Sequence, residues 1–301
     1  MKTLSSLLVF LVAAGAAAQT ALPHPDHIVI VIEENKGFSD VIGSSKATFI
    51  NSLAKNGASL TNYHGLHHPS QPNYLELFSG SNQQVCNDTC PSGLFNAPNL
   101  AGSLLAAHHT FAGFAENLPS DLSMCTSDEY ARKHCPWLDF TGIDPSLSFD
   151  TTKFPTTAAG FKKLPDVSIV IPNLLDDMHS TEGQTHGHNV PREVHQGDAW
   201  LKTHIGPYAK WAMTHNSLLI VTWDEDSATY PYPNDCSQAI DTPSAQYPNH
   251  IPTIIVGRPV KPGKSDTEYT HYDLLRTLED IYGLTAIGGS SGAQPITGIW
   301  K

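Results

Sequence analysis

Apolar residues in this chain gather into short unbroken runs, and five of them predict strands at residues 27–32, 110–114, 167–171, 217–223 and 251–256. A strand covered on both faces has no reason to alternate apolar with polar, so such runs point to a sheet buried between two layers. Between them, apolar residues three and four apart predict helices. Residues 47–56 set Ile50, Leu53 and Ala54 on one face and stop at Gly57. Segments 74–78, 99–108, 197–215 and 271–282 follow, the last ending at Gly283, where a left-handed helix cap fits. Strands alternating with helices predict an α/β fold with a largely parallel central sheet and helices on both faces. Residues 115–166 are richer in Cys, Pro, Asp and Thr and read as a looped insertion. No repeat or compositional linker divides the rest, so residues 19–301 read as one domain.

The first eighteen residues follow another logic. Lys2, an apolar run from Leu7 to Val12 and the small residues Ala16-Ala17-Ala18 match a cleaved signal peptide. A membrane anchor would need about 20 apolar residues, more than this stretch supplies. The expectation is export to an extracellular or periplasmic space, without stable membrane insertion. All five cysteines lie in the exported part, where disulfides persist. Cys86–Cys90 and Cys125–Cys135 are the easiest local pairs to close, leaving Cys236, although spacing does not fix connectivity. Asn87-Asp88-Thr89 is a glycosylation sequon if the source is eukaryotic.

A net charge of −12 repels phosphate backbones and argues against nucleic acid as a partner. The chain has 16 histidines and four arginines (Arg132, Arg192, Arg258, Arg276). Any anion chemistry must therefore lean on imidazoles, backbone amides or a metal.

Three strand predictions run at their carboxyl ends into polar clusters: Glu33-Glu34-Asn35, then Asp176-Asp177-Met178-His179, then Asp224-Glu225-Asp226. Open α/β sheets bind ligands beyond these ends. Acids there also cap helices, and for any one of them that role suffices. Three clusters on one rim would repel and raise one another's pKa, and a divalent cation held by carboxylate and amide oxygens would relieve that. Ser70, in His67-His68-Pro69-Ser70-Gln71-Pro72-Asn73-Tyr74, stands just before a helix, because Pro72 suits a first turn. It is an ordinary N-cap or, beside a metal, a nucleophile for phosphorus. No G-x-S-x-G elbow and no P-loop is present. Among the histidines, His179 beside the acid pair and His250 before a strand are candidate proton donors. His186-Gly187-His188 is a candidate second metal pair.

On these residues the chain resembles the phosphoesterase family of acid phosphatases and bacterial phospholipases C, within the alkaline-phosphatase-like superfamily, and most of all its small secreted acid phosphatases. The matching stretches are Ile32-Glu33-Glu34-Asn35-Lys36-Gly37-Phe38, His68-Pro69-Ser70-Gln71-Pro72-Asn73-Tyr74, Ile171-Pro172-Asn173 to Asp177-Met178-His179, Thr222-Trp223-Asp224-Glu225, His250-Ile251-Pro252, and His271 to Gly283-Leu284. The resemblance implies an α/β/α sandwich in which Glu34, Asn35, Ser70, Asp224 and Glu225 hold a divalent metal (Mg, Ca, Zn or Mn). Ser70 would be both ligand and nucleophile, passing through a phosphoserine. His179 and His250 would line the pocket as catalytic residues, while Asn73, His68 and Asp177 would bind substrate. Lys36 departs from the histidine common after Glu-Asn, and Ser39-Asp40 stands where longer members carry more acids. The expected substrate is a phosphate monoester, a phosphoinositide or other lipid phosphate included, hydrolysed best in acid. The rivals are a phospholipase C-type phosphodiesterase and a secreted binding protein that kept the fold.

Overall fold

The computed structural model describes residues 21–180, 189–228, 243–244 and 246–301. The signal-peptide expectation, His186, His188 and Cys236 lie outside the described residues. Eleven strands occur among the described residues: β1 His27–Glu33, β2 Ala58–His64, β3 Phe111–Ala115, β4 Thr126–Ser127, β5 Tyr130–Ala131, β6 Ser148–Asp150, β7 Val167–Ile171, β8 Ser217–Trp223, β9 His250–Val256, β10 Gly263–Ser265 and β11 Tyr269–Thr270. The α-helices are α1 Phe38–Val41, α2 Thr48–Asn56, α3 Ser70–Ser79, α4 Leu100–Ala106, α5 Ala158–Phe161, α6 Val190–Trp200, α7 Gly206–Ala212 and α8 His271–Tyr282.

The sheet runs β10-β2-β9-β8-β1-β7-β3-β6, with β11 also paired to β2. Its centre is parallel: β1 lies between β8 and β7, and β7 continues to β3. The apolar runs predicted these strands because both faces are covered; Ile28, Val29, Ile30 and Val31 are all completely buried. The exception to parallel order is β9, antiparallel to both β8 and β2. Because β1, β7 and β8 run the same way, their carboxyl ends deliver Glu34, Asp177 and Asp224 to one edge, which is what positions the site.

Two helices depart from expectation for local reasons. The predicted single helix over 197–215 is broken: α6 passes through a π-helical segment, Leu201–Ile205, before α7 restarts with Pro207 in its first turn. Proline lacks an N–H and crowds the preceding turn, so the ladder must shift there. α3 begins four residues before the predicted segment, with Pro72 inside its first turn. α8 ends as expected, at Gly283 with φ 64°. Among the described residues no helix is long and apolar enough to cross a membrane.

The cysteine pairing differs from the local one. Cys90 bonds to Cys125 across 35 residues, Cys86 is itself disulfide-bonded, and Cys135 is a buried free thiol. Sequence proximity lowers the entropy of closing a loop, but tertiary placement decides which sulfurs meet. Residues 115–166 hold the β4–β5 hairpin and contribute β6 to the edge of the sheet beside β3. They are anchored by Trp137, whose indole N–H donates to Ser148 Oγ (3.0 Å) and whose ring lies over Gly113 of β3. A Cβ at Gly113 would sit 2.0 Å from that ring. Gly113→Ala should therefore cost about 1–3 kcal/mol by overpacking, read as a lower urea midpoint with an unchanged slope.

Candidate active site

β1 ends in Glu34 and then Asn35, a residue in the left-handed region at φ 52°. Asparagine tolerates that conformation better than most side chains. The turn aims the Asn35 backbone N–H at Asp224 Oδ1 (3.0 Å) and its side-chain nitrogen at Ser70 Oγ (3.2 Å). Ser70 in turn donates to Glu225 Oε1 (3.1 Å). Asn35, Ser70, Asp224 and Glu225 are thus one connected set at the start of α3. His271 fixes the backbone there, its Nε2 lying 2.8 Å from the Asp224 carbonyl. Burial pulls the His271 pKa down to about 4, so the ring is neutral and donates.

The Glu34 carboxylate turns to the neighbouring side of this set. Its Oε2 lies 2.9 Å from His179 Nδ1 and its Oε1 3.4 Å from Lys133 Nζ, and His134 Nε2 also contacts Oε1. Glu34, His134 and Asp177 each bring one donor atom within 4.8 Å of the others. Burial works against the charge on Glu34, but His134, Lys133 and His179 together outweigh it and hold its pKa well below the usual range. Asp177, Asp224 and Glu225 go the other way: burial, then the charge of Glu34, pushes each well up. His179 is raised to about 9; burial opposes its charge, but Glu34 and Asp177 prevail.

The other expected site residues, His68, Asn73, Asp177 and His250, lie around this centre in distinct surroundings. His68 packs behind Ser70 with Nδ1 2.6 Å from Glu225 Oε2. Burial lowers its pKa to about 4, and its contact with Glu225 orients that carboxylate. Asn73 is spent on the turn before α3: its Oδ1 accepts from the N–H groups of Leu66 (2.8 Å) and His67 (3.0 Å), and its nitrogen donates to the His67 carbonyl (2.9 Å). These bonds brace the loop that leads into α3. Asp177 Oδ1 accepts from the His179 N–H (2.9 Å) and belongs to the donor group round Glu34. His250 stands apart. Its ring stacks on Phe38 (centroids 4.7 Å), its Nε2 meets the Thr61 carbonyl (3.0 Å), and it lines a separate hollow with Gly37, Phe38, Asp40 and Asp226. Lys36 is buried beneath the Asn35 turn, its ammonium between the Asn35 carbonyl (2.9 Å) and Glu193 (3.0 Å).

Sequence reasoning missed Lys133 and His134. Both come from the insertion, which no strand end marks, and Arg132 fixes their turn by pairing with Asp139 (2.8 Å) and donating to the Leu138 carbonyl (2.9 Å). The signal available was an Arg-Lys-His triplet beside Cys135. At the mouth, Lys133, His179, Asp88 and the Cys90–Cys125 bridge line a cavity of about 370 Å³. A larger hollow of about 460 Å³ lies against β3 and β6, lined by Phe114, Phe149 and Leu164, and contains no carboxylate.

The residues fit a hard divalent cation. Both Glu34 oxygens, Asp177 Oδ2, Asp224 Oδ2 and Glu225 Oε2 are buried without a well-directed hydrogen bond. Buried carboxylate oxygens left so are costly unless a cation takes them up.

The phosphoesterase family model matches residues 44–285. The chain is 43% identical to a phosphatidylinositol-3-phosphatase of Mycobacterium tuberculosis, covering 94% of this chain and 85% of that protein. It is 27% identical to a phosphate-repressible acid phosphatase of Penicillium chrysogenum over 91% of this chain, and spans 65% of that protein's length. Its fold matches a solved structure in the alkaline phosphatase superfamily from Vibrio parahaemolyticus, with a TM-score of 0.62 at 14% identity over 92% of this chain and 72% of the other.

Proposed function

This chain belongs to the phosphoesterase family, hydrolases of phosphate esters, and from that premise we propose that it is a secreted, metal-assisted acid phosphatase acting on phosphate monoesters through a phosphoserine at Ser70. The observation that carries the reading is Ser70 itself: a hydroxyl at a helix N-terminus, bonded to Asn35 and Glu225 and flanked by buried carboxylate oxygens, among them Asp224 Oδ2, that have no well-directed hydrogen bond. A divalent cation held by Glu34, Asn35, Ser70, Asp224 and Glu225 would neutralise the acids, favour the serine alkoxide and draw charge from the phosphoryl oxygens.

The chain's own groups supply the rest. Asn35 and Glu225 hold the Ser70 oxygen in one orientation, and His68 holds Glu225. The Ser70 hydroxyl proton passes to Glu225 Oε1, to which it is hydrogen-bonded, as Oγ attacks phosphorus and the ester P–O bond breaks. The departing alkoxide takes a proton from His179, which stands at the mouth with Glu34 behind it to favour the imidazolium. Water then attacks the phosphoserine, and His179, now neutral, accepts its proton. The Ser70 Oγ–P bond breaks to release inorganic phosphate, and Ser70 Oγ takes back the proton held by Glu225. The Mycobacterium relative supports a substrate range that reaches phosphoinositides, since a phosphomonoester on a lipid headgroup needs no different chemistry. The test is acid quenching during turnover of an aryl phosphate, followed by peptide mass spectrometry. A phosphate on the Ser70 peptide is expected, and its appearance on another residue overturns the assignment. A choline phosphodiester assayed alongside should not be turned over.

A further inference from the structure

The amide of Gln71, the residue after Ser70, does not point at open cavity. It donates to Asp88 Oδ1 (3.0 Å), while Asp88 Oδ2 accepts from Lys133 Nζ (2.7 Å). One carboxylate therefore spans a helix N-terminal amide and an ammonium immediately beside the nucleophile. The local sequence gives α3 no capping side chain of its own, since its N-cap is Pro69. Asp88 reaches in from a loop 17 residues further on. That loop is held by Gln71, whose side-chain nitrogen, turned towards it, donates to the carbonyls of Asn87 (3.2 Å) and Thr89 (3.0 Å). The Asp88 side chain is itself 37% exposed, so it can swing out while its backbone stays.

A further acid is poorly placed here on charge alone. Glu34, Asp224 and Glu225 already crowd the site, and the charge of Asp88 adds to the burial that disfavours ionised Glu225. What Asp88 gains is two donors with the geometry a phosphoryl oxygen pair would use: a backbone N–H at a helix start and a lysine ammonium. Lys133 also lies 3.4 Å from Glu34, so it faces the reacting centre as well as the mouth. In a site that contains no arginine, it is the one lysine found at the cavity mouth among the described residues.

We propose that the Gln71 amide and Lys133 form the cradle for the substrate's phosphate, and that the Asp88 carboxylate occupies this cradle in the resting enzyme as a built-in competitor that an incoming phosphate displaces. The inference rests on the reading of Ser70 as the nucleophile, and it adds an intrinsic brake: only ligands that outcompete a tethered carboxylate enter. A dianionic monoester does so better than a monoanionic diester, since it brings a second charge to Lys133.

The experiment is calorimetric titration of the full chain with inorganic phosphate, which reads the cradle without turnover. A carboxylate that fills the cradle nine-tenths of the time weakens apparent affinity about tenfold, so Asp88→Asn and Asp88→Ala should each bind phosphate several-fold to about tenfold tighter. Asp88→Asn keeps an acceptor for the Gln71 N–H, which guards against loss of the helix cap, and melting curves check both variants. Lys133→Met should bind at least about tenfold more weakly, with Lys133→Arg restoring most of the loss. Adding Asp88→Asn to Lys133→Met should recover little. Unchanged or weaker phosphate binding in both Asp88 variants overturns the competitor; unchanged binding in Lys133→Met overturns the cradle. Failure of the Ser70 reading looks different: phosphate affinities would shift as expected while Ser70→Ala still turned over substrate.

Discussion

Replacing Ser70 with Ala should lower kcat for an aryl phosphate by roughly a thousandfold or more, because among the described residues no other hydroxyl is bonded to both Asn35 and Glu225. The effect belongs in kcat, since four of the five groups that would hold the cation remain, as do those that would receive phosphate. Stability should change by only about 1 kcal/mol: the removed hydroxyl made two hydrogen bonds, and both partners keep other contacts. Turnover within tenfold of the parent, in protein with a normal melting curve, would remove Ser70 from the chemistry. A drop in kcat accompanied by a collapse of the melting temperature would point to a structural role for the hydroxyl.

The second large effect concerns stability without metal. Asp177, Asp224 and Glu225 have folded-state pKa values pushed above their ordinary 3.8 to 4.5 by burial and by the charge of Glu34. Below about pH 4 these groups are protonated in both folded and unfolded chains and contribute nothing. As pH rises through that range the unfolded chain releases protons that the folded chain retains, so the metal-free fold loses stability until its own groups ionise. Glu34 acts oppositely, because its pKa is depressed, but it is one group against three. A chelated sample should therefore melt close to the metal-loaded one near pH 4 and progressively below it towards pH 8. Each kcal/mol lost corresponds to about 2–4 °C in a domain somewhat smaller than this one. Chelation should abolish turnover over the same range. A chelated chain that melts like the loaded one at pH 8 would show that the acids tolerate one another unaided.

How far the sequence revealed this molecule depended on which force placed each residue. β1, β7 and β8 were readable because burial on both faces leaves an unbroken apolar run, and the acids at their ends followed from parallel direction. β2 was invisible to the same test: Thr61 and Asn62 interrupt it, and it pairs at a register shift with β9. Ser70 was readable because Pro72 marks a helix start. Asn73 and His250 had the right chemistry in the right neighbourhood, but their orientation is set by a turn and by a stacking partner that spacing does not specify. Lys133 and His134 were hidden most completely. They reach the site only because Trp137, Arg132 and the Cys90–Cys125 bond fold the insertion back over it.

That bond also says something about how the protein should be made. The sheet and the acids at its edge need no sulfur chemistry, whereas the rim bearing Lys133 and Asp88 is fastened by a covalent staple between segments 35 residues apart. Overexpression in a bacterial cytoplasm, where thiols stay reduced, should give material that is compact by scattering and yet heterogeneous at the opening. Periplasmic or yeast-secreted preparations should give one species. Specific activity would then track the host compartment, a practical signature of an architecture whose scaffold and entrance are secured by different means.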